Sequence, residues 1–238
     1  MITWGISANS HDAALAVFTD EGLEFASHAE RFSGIKNDPH LNTKLIEYAQ
    51  QWGEPDEVVW YERPFKKSLR QLRAGQGWRF RENNIKSYLA GYGIHAPIRY
   101  IDHHHSHAAA GYYTSGFEDA TVVCIDSIGE FETLTVWNAN SQGLTKYSSQ
   151  GYPHSVGLWY SAMTQRVGLK PNEDEYILMG MAAYGDPMRL YADIINDFVY
   201  YLNGGEVMFK HNLHRGCRWW RQDLTSEQDM YDIAAATQ

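Results

Sequence analysis

Twice along this chain an apolar strand runs into a polar loop, returns as a second strand and turns into a third. That repeat limits the fold more than any other feature. Ile2–Ser7, Ala13–Thr19 and Leu23–Glu30 make the first set, with Asp20-Glu21-Gly22 as the tight turn. Thr121–Ser127, Glu132–Trp137 and Leu144–Gln150 make the second, joined by the Gly-containing loop Ile128–Phe131 and the turn Asn140-Ser141-Gln142-Gly143. Between the sets, Asn42 is placed to cap a helix whose apolar residues Leu45, Tyr48, Ala49 and Trp52 share one face, and Gly53 stops it. Glu57–Tyr61 and Ile98–Asp102 read as strands, with helical stretches around Phe65–Arg73 and Glu82–Tyr92. The chain is therefore a mixed α/β protein. Spacing alone leaves open whether a domain has been duplicated or two ordinary three-strand meanders follow one another.

The expected division is a first subdomain over residues 1–118 and a second over 119–238. Near the end, Ser226 with Asp229 forms a capping box, followed by Met230, Ile233 and Ala234 on one helical face. That helix runs to Gln238 without a Gly or Pro stop, so the second copy is expected to be unfinished here and completed by a second chain or a further segment.

Charge and cysteine content remove several classes. Twenty Lys and Arg against 29 Asp and Glu leave a net charge of −9, which disfavours a general nucleic-acid binder. Two cysteines, Cys124 and Cys217, make neither a disulfide framework nor a four-Cys metal site. No apolar run approaches the ~20 residues of a membrane span. The expectation is a cytoplasmic protein with no membrane partner.

Histidine is concentrated in Asp102-His103-His104-His105-Ser106-His107, which holds four of the chain's eleven. On a helix, His103 and His107 share a face and are able to bind one metal as neutral imidazoles. Asp126, ending the strand that follows, offers a carboxylate; two histidines and a carboxylate suit Fe(2+) or zinc. The alternative is a solvated His-rich turn. His104 stands where a zinc protease of the HExxH kind needs its glutamate, so that class is disfavoured. His11-Asp12 follows the first strand and reads as a general base with its neighbour, or as a turn with a local hydrogen bond. Arg31 and Lys36 offer positive charge to a phosphate, and Asp126–Glu130 is a loop whose backbone N–H groups suit an anion. Lys66, Lys67, Arg70, Arg73, Arg79 and Arg81, interleaved with Trp78 and Phe80, form the basic stretch of an acidic chain. It reads as an anion-contacting segment or, more simply, as a solvated helix face with a packed aromatic. Trp219-Trp220 reads as packing.

Taken in order, Gly5-Ile6-Ser7…His11-Asp12-Ala13-Ala14, Glu30-Arg31-Phe32…Lys36, Asp102-His103-His104-x-Ser106-His107, Asp126-x-x-Gly129-Glu130, Pro153-His154-Ser155-x-Gly157 and Met179-Gly180-x-Ala182-x-Tyr184-Gly185 resemble the amino-terminal domain of the O-carbamoyltransferases of nodulation-factor and antibiotic biosynthesis. The resemblance implies a duplicated domain of the actin/sugar-kinase/Hsp70 type, ribonuclease H-like in each copy. It implies transfer of a carbamoyl group to a hydroxyl of a small-molecule or sugar acceptor. The donor it implies is carbamoyl-adenylate, made from carbamoyl phosphate and ATP by a further domain. His103, His107 and Asp126 fall on the family's metal positions, with Fe(2+) the implied ion and zinc or manganese the alternatives. His11 and Lys36 fall on its functional His and Lys, and Asp12, Arg31, Gly129, Glu130, His154 and Ser155 on motifs that contact substrate. Ser127 stands where the family usually has Gly, and Ile177 where many members have Lys. Threonylcarbamoyl transfer to tRNA, which shares the fold, and a non-catalytic metal- or nucleotide-binding module are the competing expectations.

Overall fold

A computed structural model of the protein describes residues 1–77, 79–203 and 206–238. The chain divides into two compact units, Met1–Ala110 and Gly111–Gln238. Trp78, read above with the basic stretch, lies outside the described residues.

The first unit runs β1 (Thr3–Ser7), β2 (Ala14–Thr19), β3 (Gly22–His28), α1 (Glu30–Ser33), α2 (Thr43–Ala49), β4 (Glu57–Trp60), α3 (Pro64–Arg73), α4 (Ile85–Ala90) and β5 (Ile98–Tyr100), then enters α5 (His103–Ser115). Its sheet has the order β3-β2-β1-β4-β5. The strands joined without a helical crossover pair antiparallel, and β4 and β5, reached through helical crossovers, run parallel to β1 and to each other. This order, with three antiparallel strands followed by two parallel ones, is that of a ribonuclease H-like sheet. Alternation sends Trp4, Ile6, Leu15, Val17, Val58 and Trp60 to one face, where Leu45, Ile46 and Ala49 of α2 meet them. Each such side chain contributes about 1.5–3 kcal/mol when fully buried. Asn42 caps α2, its side chain accepting from the Leu45 amide at 3.0 Å.

Helix α3 is inside out. Lys67, Ser68 and Arg70 are buried, while Phe65, Leu69 and Leu72 are exposed. The solvated basic face read from the sequence is therefore overturned for these two cations. Lys67 is buried because it has a carboxylate to meet, Glu62 at 2.7 Å, and Ser68 accepts from Asn83 at 2.7 Å.

The second unit opens with the same kind of meander, β6 (Ala120–Gly129), β7 (Glu132–Asn140) and β8 (Gly143–Gly151), antiparallel throughout. Then come α6 (Val156–Arg166), α7 (Glu175–Ala182), α8 (Met188–Phe198), the ribbon β9 (Val199–Asn203) and β10 (Glu206–Phe209), and α9 (Glu227–Thr237). Met163, Leu178, Leu190, Phe198, Trp220 and Ile233 form its core. The adjacent tryptophans divide: Trp220 is buried with its Nε1 on Asp197 at 2.8 Å, and Trp219 is half exposed. Ser226 and Asp229 form the expected capping box on α9. Gly185 lets α9 approach: a Cβ there would lie 2.0 Å from the Tyr231 carbonyl oxygen. Asp232, buried on α9, accepts from the Asp186 amide at 2.8 Å and from Arg189.

Candidate metal centre and its flanking loops

In α5, His103 and His107 stand one turn apart with rings 4.6 Å between centroids, and their Nε2 atoms approach to 2.9 Å. Two nitrogens about 2.1 Å from one divalent ion and at right angles to each other would be about 3 Å apart. The pair therefore has the bite of a metal chelate. The intervening His104 is fully buried and serves the core. Just ahead of the helix, Asp102 receives Lys66 at 2.6 Å and Arg63 at 2.9 Å. Burial opposes its charge, but those two cations hold its carboxyl below the usual carboxylate range. A negative side chain at this helix start also complements the helix dipole. Beside the pair, His107 and Ser106 line an open cavity of about 590 Å³ whose floor is Gly5, Ala14, Ala16 and Ala26.

His11 lies in the loop between β1 and β2, exposed, with its Nδ1 2.8 Å from the Asp12 carboxylate. Four ties fix this loop from outside. Asn9 N–H donates to the Pro39 carbonyl at 2.8 Å, and Ala13 N–H donates to that of Asp38 at 2.7 Å. The Tyr61 hydroxyl donates to the Ala8 carbonyl at 3.3 Å, and the Lys67 ammonium donates to that of Asn9 at 3.3 Å. Asn9 and Asp12 both adopt positive φ, at 64° and 50°. Non-glycine residues reach that region at some cost, which these ties offset. Arg31 is exposed on α1 beside Glu30, and Lys36 is exposed in the segment that follows α1. Sequence reasoning missed Glu62 and with it the burial of Lys67. The only signal was a carboxylate five residues before a lysine in a stretch that reads as surface.

In the second unit, Asp126 lies within β6, its Oδ1 accepting from the Ser127 amide at 2.6 Å. Gly129 and Glu130, both buried, make the turn into β7, with Glu130 at a φ of 41°. Ser155 binds this segment to α6. Its hydroxyl caps the helix by accepting from Leu158 N–H at 3.0 Å, and lies 2.7 Å from the Ser127 carbonyl and 3.1 Å from that of Asp126. Two residues on, Gly157 lets the first turn of α6 lie against β6: a Cβ there would fall 2.6 Å from the Ser127 nitrogen. The His154 ring accepts from Phe209 N–H at 3.2 Å, and its carbonyl accepts from Thr133 and Gln150. In this structure Ser155 thus shapes the segment that carries Asp126, and His154 ties the same turn to β7, β8 and β10. The structure brings together His103 with His107, His11 with Asp12, and Asp126 with Ser155.

A mixed α/β unit carries a close pair of histidines on the helix after its last parallel strand. The family follows from comparison. The model described as "Carbamoyltransferase N-terminus" matches residues 92–233, so the chain belongs to that family. "Uncharacterized protein sll1178" of Synechocystis is 36% identical over 222 residues, covering 81% of this chain and 36% of the relative. "Nodulation protein NolNO" of Sinorhizobium fredii is 26% identical over 248 residues, covering 96% and 36%. Among solved structures, YeaZ from Pseudomonas aeruginosa is similar with a TM-score of 0.38 at 10% identity, over 63% of this chain and 66% of that one. The chain spans about a third of the length of the curated relatives it matches. Among the described residues no helix is long and apolar enough to cross a membrane.

Proposed function

We propose that this chain supplies the metal-binding and transfer site of an O-carbamoyltransferase. The observation that carries the reading is the 2.9 Å His103–His107 pair inside the segment that matches the carbamoyltransferase amino-terminal family. We assign Asp126 as the third ligand, and the mixed nitrogen and oxygen donors suit Fe(2+), with zinc or manganese as substitutes. When bound, the ion supplies Lewis-acid polarisation of a carbonyl or phosphoryl oxygen. The chain's own residues do the rest. His11 takes the proton of the acceptor hydroxyl on its imidazole, and Asp12 orients that ring. Lys36 and Arg31 bind the phosphate of carbamoyl-adenylate, and positive charge there stabilises the departing adenylate. Gly129 and Glu130 shape the carbonyl side of the site, and His154 and Ser155 hold their segment in place. Manufacture of carbamoyl-adenylate from carbamoyl phosphate and ATP belongs to a further domain or a second chain. The acceptor is a small hydroxylated molecule; a membrane or nucleic-acid partner is not part of the reading.

The test is an anaerobic Fe(2+) titration of the chain against a chelating indicator. Wild type is expected to hold one ion, His103→Ala/His107→Ala to lose it, and Asp126→Asn to bind at least tenfold more weakly. Undiminished binding in the double variant would sink the assignment. Transfer from preformed carbamoyl-adenylate, in the complete enzyme, is expected to fall about 100-fold or more in His11→Ala.

A further inference from the structure

We infer that Lys67, held by Glu62, is the positioning residue of the His11 loop. The inference deepens the reading above, because it concerns the same His11, but its geometry stands apart from any role in transfer.

Lys67 lies on the buried side of α3 and Glu62 just ahead of that helix, their side chains only 8% and 7% exposed. An ammonium so buried needs a carboxylate and oxygen acceptors around it. It has Glu62 at 2.7 Å and the Asn9 carbonyl at 3.3 Å. Asn9 is two residues before His11 and is one of the two positions in the loop with a left-handed backbone. Asn9 lies beyond the paired residues of β1, whose ladder ends at Ser7. The ammonium is what meets its carbonyl. The other ties act on the loop's ends, through Tyr61 on Ala8 and Asp38 on Ala13. The Lys67 contact and the Asn9 amide on Pro39 act two residues before the exposed His11, as the Ala13 amide on Asp38 acts two residues after it. A buried ion pair thus ends on a backbone oxygen of a loop whose tip is the exposed His11. Glu62 fixes the ammonium, and the ammonium fixes the turn that aims the imidazole. This also accounts for α3 being inside out, because the helix must carry its cation inward to reach the loop.

The test compares Lys67→Met with the double variant Lys67→Met/Glu62→Met. The single change strands a buried carboxylate and is expected to lower the melting temperature. The double change removes both charges and is expected to bring the melting temperature back to within a few degrees of wild type. If Lys67 positions the loop, the Asn9 and Ala13 amides in that double variant still exchange with solvent at least tenfold faster than in wild type. The His11 ring cross-peak then also shifts or broadens. Wild-type exchange at those two amides in the stable double variant would make the pair a core element only and overturn the inference. A double variant that does not fold would overturn it equally, since the pair would then be required by the core itself. An inert His11→Ala substitution in the transfer assay would remove the base role proposed above and leave the exchange result standing.

Discussion

The two units turn from their first strand into their second by different means. The β1–β2 loop is long, exposes His11, and is held by side chains and carbonyls reaching in from α3 and from the segment before α2. The Gly129–Glu132 turn between β6 and β7 is short, its first two residues buried, and the strand leading into it is held by a serine cap and by the backbone of α6 in close approach. The difference separates two ways of fixing a site. A loop held by a few hydrogen bonds from neighbouring segments is able to loosen without unfolding its unit. A turn clamped by backbone contact moves only with the whole unit.

Gly157→Ala strikes that clamp directly and carries the largest expected effect. Its Cβ would meet backbone rather than a flexible side chain, so α6 must shift away from β6. Overpacking of this kind costs about 1–3 kcal/mol or more, and the melting temperature is expected to fall by about 5–10 °C. An unchanged melting curve would mean that the second turn is as adjustable as the first. Ser155→Ala removes the cap and the bond to the Ser127 carbonyl while creating no clash, and is expected to cost about 1–2 kcal/mol by chemical denaturation. A loss as large as that of Gly157→Ala would shift the weight of the clamp from backbone contact to the hydroxyl.

Acid sharpens the comparison from the other side. Asp38, whose carbonyl ties down the first loop, has its carboxyl held below the ordinary value by the Ser33 hydroxyl and the His40 amide. On α9, burial opposes the charge of Asp232, and its bonds from Asp186, Arg189 and Gln228 prevail and hold it low as well. A carboxyl depressed in the folded state adds stability above its unfolded pKa of about 4, and that stability is lost as pH falls through the depressed value. Both units are therefore expected to keep their melting temperatures down to about pH 4 and lose them below it. Loss of protection at the Ala13 amide, relative to its intrinsic exchange rate, already at a pH well above 5 would break the link to Asp38. The smallest effect concerns the thiols, both in the second unit. Burial raises the Cys124 thiol and pushes Cys217 up to about 12. At pH 8 the native chain is expected to leave both unmodified by a disulfide reagent, with reaction appearing only on unfolding.

Much of the fold was legible because it is written in short-range patterns. Alternation in Trp4, Ile6, Leu15 and Val17, the Asn42 cap and the Ser226–Asp229 box each act over a few residues, and each appears where the sequence places it. The His103–His107 pair was legible for the same reason, since one helical turn fixes it. The basic stretch was not. Lys67 and Arg70 read as surface because lysine and arginine are rarely buried, and only Glu62 and the Asn9 carbonyl make Lys67 an exception. The hydrogen bonds of His154 and Ser155 to Phe209, Ser127 and Leu158 were not legible either, because those partners lie outside the motif that carries the two residues.

The sequence by itself determined the class of sheet, the helix bearing the paired histidines and the membership of a carbamoyltransferase family, because strand alternation, helical spacing and ordered motifs are local or linear properties. Only the tertiary structure decided which glycines are spacers, which lysine is internal and what holds the His11 loop. Those depend on atoms distant in the chain, such as Tyr231 against Gly185, Ser127 against Gly157 and Lys67 against Asn9, and no local pattern encodes which distant backbone a side chain will meet.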